Sequence, residues 1–99
     1  MLHIVNKSPY EKNALESCLR VAEAGSAVLL TEDGVYAAVR GGSAAEKLLK
    51  AAESLKLYAL APDVQARGMA ERMIDGVTLV DYTGFVELVT THPVNLSWL

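Results

Sequence analysis

Short apolar runs alternate along this chain with segments in which apolar residues recur every three or four positions. Leu2–Val5 is the first run, and its β-branched residues suit a buried strand. Ala27–Leu30, residues 57–60 and Val77–Val80 repeat the pattern. Ser8 with Glu11 (and Pro9 at the first helical position) and Asn13 with Glu16 form overlapping capping boxes. They open a helix that runs to about Ala24, where Gly25 stops it. Along it Ala14, Leu15, Cys18, Leu19, Val21 and Ala22 share an apolar face, and Asn13, Glu16, Ser17, Arg20 and Glu23 share the polar one. Thr31 to Gly34 forms a polar turn, and 35–39 is either a short helix or an extended piece, which five residues of periodicity do not decide. Ser43 with Glu46 is a third capping box, ahead of the helical stripe Ala45, Leu48, Leu49, Ala52 and Leu55. Pro62 starts a helical turn that ends at Gly68. Asp81 leads into a helix over 82–91 with Phe85, Leu88 and Val89 inward, and Pro93 ends it. The tail 94–99 reads as a fifth, edge strand.

Strands that alternate with helices, with few hairpin signals, predict a single-domain α/β fold over residues 1–99. Its parallel β-sheet is flanked by helices on both faces. In such folds function gathers at the carboxyl ends of the strands. Those ends carry Asn6-Lys7-Ser8, Thr31-Glu32-Asp33, Ala61-Pro62-Asp63 and Asp81-Tyr82-Thr83.

Composition adds three constraints. Counted without tyrosine and with glycine, the apolar share exceeds the roughly 45–50% usual for soluble domains, which points to apolar surface kept for a partner. Nine basic against twelve acidic residues give a net charge of −3 without a basic cluster, which argues against direct nucleic-acid binding. No apolar run approaches the roughly 18–20 residues of a membrane span, and the start lacks the features of a signal peptide. A lone thiol fits a reducing cytoplasm.

That thiol, Cys18, is the first candidate for chemistry. It makes no intramolecular disulfide, and a zinc site would need other strong ligands. Its place near the middle of an apolar helical arc suits a buried small hydrophobe, whereas a reactive role needs a thiolate and exposure. Lys7 is the cation placed nearest to it by the sequence. His3 inside a strand reads as a hydrogen-bonded core or interface residue, and His92 as a helix-end residue facing exposed carbonyls. Glu32-Asp33 reads as a solvated turn or as a metal or acid–base pair. Asp63 and Arg67, spaced i, i+4, predict a helical ion pair, or else a partner contact through the arginine. Trp98 either seals the sheet edge or anchors a subunit contact. Phosphate-cradling glycine motifs and nucleophile elbows are absent from the sequence.

Taken together, these residues resemble the DsrH/TusB family of sulfur-relay proteins. The resemblance runs from Leu2-His3 through Lys7-Ser8-Pro9, Glu32-Asp33-Gly34-Val35-Tyr36-Ala37-Ala38, Ala66-Arg67-Gly68 and Asp81-Tyr82-Thr83-Gly84-Phe85-Val86 to Trp98. It implies a DsrE-like fold and a heterohexamer with two related small sister subunits, one DsrE/TusD-like and one DsrF/TusC-like. It also implies a DsrC/TusE-type sulfur acceptor, a persulfide relay that requires no cofactor, and a main reactive cysteine on a sister subunit. Cys18 matches the cysteine of DsrH-type members within Leu15-Glu16-Ser17-Cys18-Leu19, and is the candidate persulfide carrier of this chain. With Asn6-Lys7-Ser8-Pro9 it places the chain nearer the DsrH branch, which serves sulfur oxidation, than the TusB branch, which serves tRNA wobble-uridine 2-thiolation. The rival readings are a structural subunit with a buried cysteine, and a stand-alone ligand-binding module using Asp33, Asp63 and Asp81.

Overall fold

Five parallel strands organise the protein in a computed structural model that describes residues 1–98. They are β1 (Leu2–Val5), β2 (Ala27–Leu30), β3 (Lys56–Leu60), β4 (Val77–Val80) and β5 (Asn95–Trp98). Their order is β4-β3-β2-β1-β5, and every neighbouring pair is parallel. The middle strand β2 is buried at all four positions, which is why it reads Ala-Val-Leu-Leu with no polar residue. The helices are α1 (Ala14–Val21), α2 (Ser43–Ala51), α3 (Ala61–Ala66) and α4 (Tyr82–Thr91), with 3-10 helices at Glu32–Ala38 and Ala70–Arg72. No helix among the described residues is long and apolar enough to cross a membrane.

The strand order distributes the helices unequally. Parallel crossovers run right-handed, so the steps β1 to β2 to β3 to β4, all in one direction, deliver α1, α2 and α3 to one face. The return from β4 to β5 delivers α4 to the other. The packing agrees. Leu15 and Cys18 of α1, Leu48 of α2 and Val64 of α3 join Val5, Val28, Leu30, Leu57 and Ala59 in the main core. On the second face Leu2, Ala27 and Leu29 are buried, with Phe85, Leu88 and Val89 of α4 only partly so. No residue of α4, β4 or β5 is fully buried.

Several elements depart from the sequence expectations. Residues 8–12 form a turn, in which Glu11 and Lys12 both donate to the Ser8 carbonyl and Tyr10 donates to Ser8 Oγ. The first helix therefore begins only at Ala14, and it ends where Ala22 turns extended. Gly25, at φ 88°, serves the loop beyond and donates to the Ser54 carbonyl. Val21 and Leu49, expected inward, lie 57% and 48% exposed at the edges of their helices' buried stripes. Neither Asn13 nor Ser43 forms a side-chain cap; Gly42 takes the cap position of α2. Asp81 does cap α4, accepting from the Gly84 N–H at 2.8 Å. Segment 35–39 resolves into the 3-10 helix, with Val39 leaving it to bridge Met73. The fifth strand forms beside β1, with Leu99, the end of the expected tail, outside the described residues.

Candidate functional site

Cys18 lies on the inner face of α1 with no exposed surface, among the apolar side chains of the main core. Burial disfavours the charged form, so its thiol is pushed up from 9.0 to about 12. Its mid-helix position keeps it from the helix N-terminus, and Lys7 is solvent-exposed in the preceding loop. The thiol is therefore protonated and covered in the folded chain.

The loops at the carboxyl ends of the strands form a second locus. The backbone of residues 31–34 lies directly against the end of β1. Thr31 donates to the Val5 carbonyl at 3.0 Å, Gly34 donates to the Thr31 carbonyl at 2.8 Å, and a Cβ on Gly34 would overlap the Val5 carbonyl. Glycine at position 34 is thus required by the close approach of the backbone to Val5. Glu32 sits at φ 49°, a left-handed conformation that costs a non-glycine residue about 1–2 kcal/mol. Asp63 holds it there, accepting the Glu32 N–H through Oδ2 at 2.6 Å.

Arg67 completes the tie between this loop and α3. Its Nε and Nη2 donate to Asp33 Oδ1 at 3.1 and 2.9 Å, and its Nη1 donates to the Asp63 carbonyl at 3.1 Å. The guanidinium also lies over the Tyr36 ring, 5.9 Å from its centroid. The hydrogen bonds it donates to the Asp33 carboxylate raise the Arg67 pKa further, so its charge is fixed. The ion pair expected between the side chains of Asp63 and Arg67 is therefore redirected. Each reaches across to the 32–33 segment, because the fold brings that segment closer than the helical spacing brings the pair.

Beside this tie lies a crevice of about 330 Å³ beyond the ends of β1, β2 and β3. Ile4, Leu60 and Phe85 give it an apolar lining, and Thr31, Glu32, Asp63 and Tyr82 a polar one. The strand-end triplets contain Thr31, Glu32, Asp63 and Tyr82; Ile4, Leu60 and Phe85 carried no local signal, since only the sheet and α4 bring them there. Asn6 Oδ1, at the end of β1, is buried without a hydrogen-bond partner among the described residues. No group of three or more His, Cys, Asp or Glu among the described residues is placed to hold a metal ion.

The remaining candidates find partners. His3, 2% exposed, accepts from Trp98 Nε1 through Nδ1 at 3.1 Å, and burial lowers its pKa. Trp98 packs on the main core, so it seals the β5 edge against β1. His92 Nδ1 lies 2.7 Å from the Leu88 carbonyl at the end of α4.

Comparison with known proteins places this architecture. Residues 7–95 match the family described as DsrH like protein. Curated relatives named Protein TusB include one from Pectobacterium parmentieri, 44% identical over 99% of this chain and 100% of its own length. Another, from Escherichia coli K12, is 39% identical over the same shares. Among solved structures, the ychN protein from E. coli superposes with a TM-score of 0.79 at 20% identity, covering 98% of this chain and 97% of that one. A protein of unknown function from Methanobacterium thermoautotrophicum gives 0.76 at 17% identity, covering 97% and 95%. These structures share the parallel α/β fold. The chain belongs to the DsrH/TusB family of sulfur-relay proteins.

Proposed function

We propose that this chain is a subunit of a cytoplasmic TusBCD-type persulfide relay serving 2-thiolation of the tRNA wobble uridine. Its partners are TusD-like and TusC-like sister subunits in a heterohexamer, with a TusE-type protein as the sulfur acceptor. The observation that carries the reading is full-length similarity to proteins named TusB at 39 to 45% identity. Asn6-Lys7-Ser8-Pro9 and Cys18 favour the DsrH-type alternative in sulfur oxidation, and the whole-chain identity outweighs those few positions.

In such a relay a thiolate attacks the outer sulfur of a donor persulfide. The S–S bond breaks, and the donor leaves as a thiolate. The attacking group needs both charge and access. Cys18 has no exposed surface and a thiol pushed up to about 12, which supports giving it a packing role and placing the carrier on a sister subunit. Cys18 as an auxiliary carrier is the competing reading, and one experiment separates the two.

The native host lacking this gene would be complemented with the wild type or with Cys18→Ala, and wobble 2-thiouridine measured by nucleoside mass spectrometry. The expected result is loss of the thiolated nucleoside on deletion and recovery with both forms. Unchanged 2-thiouridine on deletion would remove the tRNA assignment. Recovery with the wild type alone, from equally abundant proteins, would make Cys18 a carrier.

A further inference from the structure

We propose that His3 and Trp98 form a pH-sensitive latch that holds the edge strand β5 on β1, and that a proton on the His3 ring opens it. The latch is a property of the fold and stands apart from the proposed function.

The bond between the two rings fixes the protonation state of the histidine. Trp98 Nε1 lies 3.1 Å from His3 Nδ1. An indole nitrogen only donates, so Nδ1 accepts and the imidazole is neutral, with its proton on Nε2. A second proton would go to Nδ1, and two donors would then face each other where one bond had been. Cation–π attraction does not compensate. Nδ1 meets the N–H edge of the indole, the positive part of its quadrupole. The ring centroids are 6.1 Å apart and the planes tilted by 38°, so the imidazole is not stacked on the indole face.

The strand depends heavily on this one contact. Among the described residues β5 is an edge, paired with β1 alone. Asn95, Leu96 and Ser97 are exposed, and Trp98 is the one residue of the strand that is partly buried, packed on the main core. An edge strand anchored by a single side chain opens at low cost. His3 lines a cavity of about 160 Å³ with Met1, Val21, Glu23 and Ser26, which gives a proton its route to a ring only 2% exposed. Around that ring the Met1 amino group opposes protonation, and Glu23 on the cavity wall favours it. The described residues of β2 and β5 carry no titratable side chain. Of α1, Cys18 stays a neutral thiol, while Glu16 and Arg20 line the groove towards α2. Burial, aided by the amino group, lowers the His3 pKa from 6.5. The unfolded ring takes up its proton near 6.5 and the folded ring only below it. The latch is therefore shut above 6.5 and weakens as pH falls through the window beneath.

Trp98 is the only tryptophan in the chain, so its fluorescence reports the latch directly. The full chain is titrated from about pH 7.5 to about pH 5, across the range in which histidine changes charge, with emission, acrylamide quenching and the β2 amide resonances followed together. The expected result is a red shift with at least twofold stronger quenching, half complete below pH 6.5, while the β2 amides stay in place. His3→Asn keeps an acceptor near the Nδ1 position at every pH and is expected to remove the transition. His92→Asn, which alters the other histidine, is expected to leave it. In the wild type the Trp98 indole N–H resonance is expected to titrate in step with the His3 ring protons, which decides the matter even if His3→Asn does not fold. Absence of a wild-type transition, an indole resonance that stays fixed while His3 titrates, or a transition that persists in folded His3→Asn would each overturn the latch. Loss of the β2 amides at the same midpoint would also overturn it, in favour of acid unfolding of the whole chain.

Discussion

At the scale of single residues, surroundings decide chemistry more than identity does. Cys18 is the only thiol in the chain, and a helical arc of apolar neighbours turns it into a core atom. The direction of its pKa shift gives a pH signature. Above pH 9 the unfolded chain loses the thiol proton while the folded chain keeps it to about 12, so the folded state binds more protons and stability falls as pH rises through that window. Cys18→Ala is expected to cost roughly 1 kcal/mol at neutral pH, as loss of one buried heavy atom does, and to flatten the alkaline decline relative to the wild type. Urea denaturation of both proteins at pH 7 and pH 10 checks the difference; parallel curves would refute the buried thiol. The location of Cys18 in the apolar arc was legible from periodicity alone. The roles of Asp63 and Arg67 were not. Their i, i+4 spacing specified a local pair, and a contact 31 residues away in sequence displaced it.

At the scale of elements, sequence patterns located helices well and their ends poorly. Three Ser/Asn-x-x-Glu patterns promised caps. At 8–11 the hydroxyl serves a turn, and at Asn13 and Ser43 the cap bond is not made. A capping box competes with every other arrangement open to four flexible residues, and in this fold the neighbouring turns win. Asp81 differs because its carboxylate meets the Gly84 N–H at the start of a helix that the chain must begin sharply after β4. Asp81→Ala is accordingly expected to cost about 1 kcal/mol, while Asn13→Ala and Ser43→Ala stay within a few tenths. Midpoints of urea unfolding measure all three, and a similar loss for Ser43→Ala would contradict the assigned caps. The outward turn of Val21 and Leu49 has the same origin. A helix packed on one sheet buries a stripe narrower than the apolar arc drawn from its sequence.

At the scale of the molecule, strand order governs what is left exposed. Alternation of strands and helices was enough to predict a parallel sheet, but the position of β5 beside β1 followed from no local pattern. That position sends one crossover backward and leaves α4 as the only helix on its face among the described residues. Part of the exposed apolar surface lies on that helix. Tyr82 and Val86 project exposed from a helix that has no fully buried residue. Adjacent exposed apolar side chains suit a contact between proteins, and under the proposed function the sister subunits are the expected occupants. Val86→Glu tests this at the scale where it belongs. The side chain is 59% exposed, so the substitution is expected to leave the unfolding free energy of the isolated chain within about 0.5 kcal/mol. Co-expressed with the TusC-like and TusD-like subunits, the variant is expected to bind at least tenfold more weakly, because a carboxylate desolvated against an apolar partner finds no counter-charge. Co-purification and sedimentation of the assembled complex read the outcome, and unchanged assembly would place the subunit contact away from α4.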